Sequence, residues 1–190
     1  SKFSIACDVD NPLVGEKGAS AVLRKKKGVQ EDEVKYFDQA LTYFADIVEK
    51  EKGIRLHEYK GAGAAGGMGG ALIAFLEGEF RQGIHLVLEV MKYKEKIQGA
   101  DYVFTGEGKS DRQTLHGKAP FGVLQCTKEY EIPTVLLSGC IDEEDKNILA
   151  EYYYAIYSVV GESISTEQAL TEASSCLTQR AFEVFTKIVN

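Results

Sequence analysis

Three times between residues 100 and 190, a short apolar run gives way to a helical pattern. "DYVFT" (101–105) precedes helical spacing over 119–130, "PTVLLSG" (133–139) precedes 143–151, and "YAIYSVV" (154–160) precedes 166–189. Strands this continuously apolar are buried on both faces, and strands that alternate with helices pair in parallel. The crossovers in such sheets are right-handed almost without exception, and ligands bind beyond the carboxyl ends of the strands. The helix ends agree: Pro120 stands in a first turn, and Ser165 or Thr166 followed by Gln168 opens the last helix. The reading is an α/β fold around a parallel sheet. Three strands make that sheet thin, so its remaining strands must come from elsewhere.

The first half is less regular. "FSIACDVDNPLVG" begins as a strand and turns at Asp8 into Asp, Asn-Pro and Gly turn chemistry. From Glu31 a helix is clear: Val34, Phe37, Leu41, Phe44, Ala45 and Val48 share one face, and Gly53 stands just past its end. "IRLHEY" (54–59) predicts a short strand. "GAGAAGGMGG" (61–70) has six glycines in ten positions and runs into a helix at "ALIAFLEG"; a second helix is expected over Ile84–Ile97.

At 190 residues, folding can bury about 70% of the exposed chain, enough for a core without staples. The net charge of −7 argues against a nucleic-acid partner, which would need a clustered basic excess. The Arg24-Lys25-Lys26-Lys27 run reads as a solvated turn. No apolar stretch approaches the roughly 20 residues of a membrane helix, and no signal peptide is evident at the start. Cys7, Cys126, Cys140 and Cys176 are widely spaced, which suits free thiols in a reducing cytoplasm better than zinc or disulfides. His57, His85 and His116 share no ligand spacing, and His85 is expected to be partly packed.

Three stretches carry candidate chemistry. The glycine-rich one contains G-x-G-x-x-G, but a dinucleotide site needs a strand before it and an acid after a second strand. Its glycines either let backbone N–H groups converge on an anion at a helix start, or serve close packing or a hinge. "TGEGKSDRQTLHGKAP" (105–120) has the inventory of phosphoryl transfer, where charge neutralisation and alignment do most of the work. Glu107 or Asp111 is a candidate for Mg2+, Lys118 for neutralising phosphate, and Gln113 and Thr114 for holding a substrate; the alternative is a polar surface loop. Gly108-Lys109-Ser110 ends like a Walker A motif, but Val103 stands where its first glycine belongs. In "CDVDNP", Asp8 and Asp10 offer a general base and Asn11 a polar contact, unless they only form the turn into Pro12.

"ACDVDNPLVGEKGASAV", "GAGAAGGMGGAL" and "TGEGKSDRQTLHGKAPFGV", in this order and at this spacing, resemble the bacterial-type glycerate kinases over essentially the whole chain. Val14 and Lys17 depart from the residues usual in the first motif. The resemblance implies phosphorylation of a D-glycerate hydroxyl by ATP with Mg2+, in a cleft between two α/β domains. It marks Asp8, Glu107, Asp111 and Lys118 as catalytic. It places Asp10, Asn11, Gly61, Gly63, Gly66, Gly67, Thr105, Gly106, Gln113 and Thr114 at the substrate and nucleotide. Family members are about twice as long, so the chain corresponds to a C-terminal half: 1–97 in an inserted second domain, and 98–190 completing a Rossmann-like first one. The absent N-terminal segment, or another chain, is then expected to cover the sheet edge. A non-catalytic organic-acid or phosphate-binding module and a nicotinamide dehydrogenase are the other readings weighed.

Overall fold

The computed structural model describes residues 2–22, 30–161 and 163–189; the Arg24–Lys27 run lies outside them. The chain divides into two compact units, Ser1–Leu86 and Val87–Asn190.

In the first unit, β1 (Ser4–Ala6) and β2 (Glu79–Arg81) pair in parallel with Ile5 opposite Phe80. A three-residue strand between two charges is too short for a periodicity signal, and β2 was not foreseen. Helix α1 (Glu31–Lys52) forms where the spacing places it. Acids fill its first turn, the Gln30 N–H donates to Glu33, and Gly53 closes the far end at φ 70°. Its core contact runs from Leu41 onward: Ala45 and Val48 pack with Leu13, Leu56, Ala62, Ile73 and Ala74, Leu41 and Phe44 flank them, and Phe37 remains exposed. The strand expected over 54–59 does not form. Leu56 is fully buried and Ile54 packs on the same core, so the alternation reflects a loop burying every second residue, with a turn from Tyr59 N–H to the Leu56 carbonyl. The glycine-rich stretch makes a 3-10 turn (Ala64–Gly67) into α2 (Met68–Leu76). The helix expected over 84–97 is two, α3 (Gly83–Val90), which runs from the first unit into the second, and α4 (Tyr93–Lys96), in the second, parted by Lys92 at φ 51°. His85 is exposed on α3 rather than packed.

The second unit holds the parallel sheet β3 (Val103–Thr105), β5 (Thr134–Ser138) and β7 (Ala155–Ser158), in the order β3-β5-β7. One face packs on α5 (Ala119–Lys128) and α6 (Lys146–Ala150) through Leu124, Leu136, Leu149 and Tyr153. The other face meets α7 (Thr166–Thr171) and α8 (Ala173–Val189), with Leu137 and Val159 against Ala169 and Cys176. The long last helix is thus broken at Glu172; Ser165 caps its start by accepting the Gln168 N–H at 3.1 Å. The sheet is sandwiched as its apolar strands require. All four cysteines are free thiols, Cys126 and Cys176 buried.

Candidate functional site

Past Thr105, the chain leaves β3 through Gly106-Glu107-Gly108 and re-forms a two-residue strand, β4 (Lys109–Ser110). β4 pairs with β6 (Cys140–Ile141), which follows β5 after Gly139. Thr105 faces Leu136 and Lys109 faces Cys140, so the second ladder resumes the first at the same register offset. Between them the Gly139 and Cys140 N–H groups donate to the Glu107 and Gly108 carbonyls, both at 2.9 Å. At Gly106 and Gly139 only glycine fits this close pairing. A Cβ on Gly106 would stand 1.8 Å from the Leu137 carbonyl oxygen, and one on Gly139 2.6 Å from that of Gly108.

The closure brings polar side chains into one network. Glu107 Oε1 accepts from the Thr114 hydroxyl at 2.6 Å and the Ser110 hydroxyl at 3.2 Å, and Ser110 meets Ser138 at 2.7 Å. Lys118 Nζ lies 3.4 Å from both Glu107 Oε2 and Asp111 Oδ1. Asp111 also accepts the Gln113 N–H, capping the 3-10 turn Arg112–Leu115. Asp145, 7% exposed, anchors that turn by accepting from the Arg112 backbone N–H and guanidinium. These contacts hold its carboxyl below the usual range. Below the cluster, the buried Tyr153 hydroxyl has no partner; burial, then the charge of Glu107, push its pKa well up.

Of the expected residues, Glu107, Asp111, Thr114 and Lys118 come together. Thr114 is fully buried, its hydroxyl donating to Glu107 and accepting the Asp111 N–H within the loop. Gln113 is exposed at the turn, Gly106 and Glu107 line the loop's inner side, and the side chains of Lys109 and Arg112 are 60% and 61% exposed, bound to Asp142 and Asp145. Sequence reasoning missed Ser110, Ser138, Asp145 and Tyr153. Only Ser110-Asp111 ahead of a turn gave a local signal; the others join through tertiary packing. Beside the loop, at the carboxyl ends of β3, β5 and β7, a cavity of about 460 Å3 opens between sheet and helices.

The first unit carries the other candidates. Asp8, exposed past the end of β1, accepts the Gly83 N–H at 2.8 Å and so caps α3. Asp10 is exposed, and the buried Asn11 Nδ2 has no partner. The glycines divide into two kinds. Gly61, Gly63 and Gly69 are clamped: an added Cβ would come within 2.9 Å of Phe80, 2.1 Å of the Pro12 oxygen and 2.4 Å of the Gly61 oxygen, respectively. Gly66, at φ +74°, opens onto free space, and Gly67, at φ +103°, leads into α2 above Leu13. No strand leads directly into the stretch, since residues 53–63 form none, so the dinucleotide fingerprint lacks its frame. Among the described residues no cluster of three or more His, Cys, Asp or Glu side chains forms a metal site.

A parallel sheet covered by helices, with a carboxylate–lysine cluster just past its strand ends, defines an α/β protein. The chain belongs to the glycerate kinase family, whose model matches residues 1–189. It is 38% identical to the glycerate kinase of Bacillus subtilis (strain 168) over 98% of this chain and 49% of that protein. It is also 40% identical to that of Halalkalibacterium halodurans over 95% and 47%. The glycerate 2-kinase of Escherichia coli (strain K12) is 38% identical over 82% and 41%. Among solved structures, that of a "putative glycerate kinase 2" from Salmonella typhimurium LT2 superposes with a TM-score of 0.75 at 36% identity, covering 98% of this chain and 49% of that one. The chain thus spans about half the length of the relatives it matches. No helix among the described residues is long and apolar enough to cross a membrane.

Proposed function

We propose that the protein acts as a glycerate kinase, passing the γ-phosphoryl group of ATP to a hydroxyl of D-glycerate and giving phosphoglycerate and ADP. The observation that carries this reading is the Glu107–Lys118–Asp111 cluster at the carboxyl ends of a parallel sheet. Lys118 opens α5, so its ammonium and the helix's N-terminal dipole both favour an anion there. Two carboxylates outnumber the one ammonium, an arrangement that would repel polyphosphate without a further cation. Hard oxygen donors of this kind suit Mg2+, which takes one or two carboxylates plus phosphate oxygens. Glu107 and Asp111 would hold it, and it would supply charge neutralisation on the transferring group. Ser110 and Thr114 hold Glu107, while Thr105, Gly106 and Gln113 face the nucleotide and acid.

From the first unit, Asp8 serves as the base that takes the hydroxyl proton, its carboxylate fixed by the Gly83 N–H. Asp10 and the unpartnered Asn11 amide hold the substrate, and the open bend at Gly66 and Gly67 receives an anion, with Gly61 and Gly63 shaping its approach. In this reading 98–190 complete a Rossmann-like domain, 1–97 belong to an inserted one, and the reaction runs in the cleft between them. The chain supplies the C-terminal portion of a cytoplasmic enzyme. Its N-terminal portion, or another chain, covers the β3 edge, where Phe104 and its neighbour Phe185 are exposed. The test is ADP release by the complete enzyme across a panel of small hydroxy acids. Release that depends on D-glycerate and divalent cation is expected; none with any acid would overturn the proposal.

A further inference from the structure

In the strand-end loop, two of the three long cations have an acid of their own. Lys109 pairs with Asp142 at 3.1 Å, and the Arg112 guanidinium grips Asp145 at 2.7 and 2.8 Å. Lys118 is shared instead: its Nζ stands 3.4 Å from Glu107 Oε2 and 3.4 Å from Asp111 Oδ1. A tight charge-assisted hydrogen bond measures about 2.7–2.9 Å. Lys118 is therefore held between two carboxylates by charge and bound closely to neither. The carboxylates themselves are fixed. Glu107 Oε1 takes the Thr114 and Ser110 hydroxyls, and Asp111 takes the Gln113 N–H. The partner free to move is the lysine, on a flexible stem with its side chain 36% exposed.

The position Lys118 holds is also the one a divalent cation must take to use both acids. Ammonium and metal cannot share it, and at this range like charges repel strongly even in a partly solvated site. On the kinase reading, on which this inference rests, Lys118 has a second anionic partner in the phosphates of the nucleotide. We infer that Lys118 is a resident counter-ion, closing the metal position while the loop is empty. It swings to phosphate when nucleotide arrives and so uncovers Glu107 and Asp111. The loop then resists bare cation and admits cation and polyphosphate together. One side chain couples the two ligands, because the phosphate that attracts Lys118 vacates the place the cation needs. The cluster thus selects the metal–nucleotide complex over either component alone.

The test titrates the complete enzyme with Mn2+ in the absence of nucleotide, free Mn2+ being read by electron paramagnetic resonance. The proteins are wild type, Lys118→Ala, Lys109→Ala, and Lys118→Ala combined with Glu107→Gln. Lys118→Ala is expected to bind Mn2+ at least about tenfold more tightly than wild type, the reverse of its effect on turnover. Adding Glu107→Gln should return binding to the wild-type level or below. Lys109→Ala, whose ammonium is committed to Asp142, should stay within about threefold of wild type. Thermal melting verifies folding, and Lys118→Met, which keeps an apolar stem, replaces the Ala variant if that one unfolds. Unchanged or weaker Mn2+ binding without the lysine would overturn the inference, as would a gain that survives Glu107→Gln. D-Glycerate turnover by the wild type is measured alongside. If it is present, such a result removes the counter-ion and leaves the kinase reading standing; if it is absent with every acid, both fall together.

Discussion

Two glycine-bearing turns, Gly61–Gly70 in the first unit and Gly106–Gly117 in the second, look alike in sequence and are built from different physics. In the first, Gly61, Gly63 and Gly69 lie against Phe80, the Pro12 oxygen and the Gly61 oxygen, and only the bend at Gly66 stands free. The stretch is mainly a packing device with one open corner. In the second, Gly106 and Gly139 let two parallel strands run so close together past their main ladder that Glu107, Asp111 and Lys118 are drawn into one cluster. Glycine there serves the side chains around it. The density of glycine thus says little about where ligands bind; what the glycines bring together says more.

The largest effect should come from filling either clamp. Gly106→Ala and Gly63→Ala each put a Cβ about 2 Å from a carbonyl oxygen, and each should lower stability by about 4 kcal/mol or more in denaturant unfolding. Gly108→Ala, in open space, should change it by less than about 1 kcal/mol. Near-equal losses at Gly106 and Gly108 would erase the distinction between a clamp and a free turn.

Asp8 separates capping from chemistry. Asp8→Ala removes the acceptor for the Gly83 N–H and should cost about 1 kcal/mol of stability, whereas Asp8→Asn keeps an acceptor and should cost little. If Asp8 is also the base, both lower turnover by about a hundredfold or more. Full turnover in the Asn variant would leave Asp8 a cap alone.

The open corner is sharpened by Gly66→Ala. Its positive φ should cost about 1 kcal/mol, with no clash added. A loss as large as that of Gly63→Ala would place Gly66 among the packing glycines.

The smallest effect lies under the strand-end loop. The Tyr153 hydroxyl is buried and unpartnered, so Tyr153→Phe should be close to neutral at pH 7. Its folded pKa is raised above the ordinary 10.0, so its contribution is intact below about pH 10 and is lost as pH rises beyond it. Alkaline melts should therefore show the wild type losing stability above that pH and the Phe variant losing less. Identical alkaline profiles would mean the hydroxyl is solvated or paired.

The parallel sheet, α1 with its Gly53 cap, and the crowded loop past Thr105 were legible because burial, capping and turn chemistry leave local marks. β2 was not, since three residues bracketed by Glu79 and Arg81 show no period. Nor was the loop at 54–59, where alternate burial of Ile54 and Leu56 imitates a strand without a ladder. The breaks at Lys92 and Glu172 interrupt otherwise continuous helical patterns without a Pro or Gly to mark them. Within the site, Glu107, Asp111 and Lys118 could be read from residue type. Ser138 and Asp145, which anchor the loop, and the buried Tyr153 could not, because each arrives from a distant element through tertiary packing.

The central claim is that the inward side of the strand-end loop, at Lys118, meets phosphate while its outward side, at Lys109, does not. The direct measurement is steady-state turnover of the complete enzyme with ATP and D-glycerate for Lys118→Ala and Lys109→Ala. Loss of an electrostatic contact made in the transition state should lower the Lys118 variant about a hundredfold or more, close to 3 kcal/mol, with Lys109→Ala within a few-fold of wild type. Equal losses in the two variants, or an active Lys118→Ala enzyme, would contradict it.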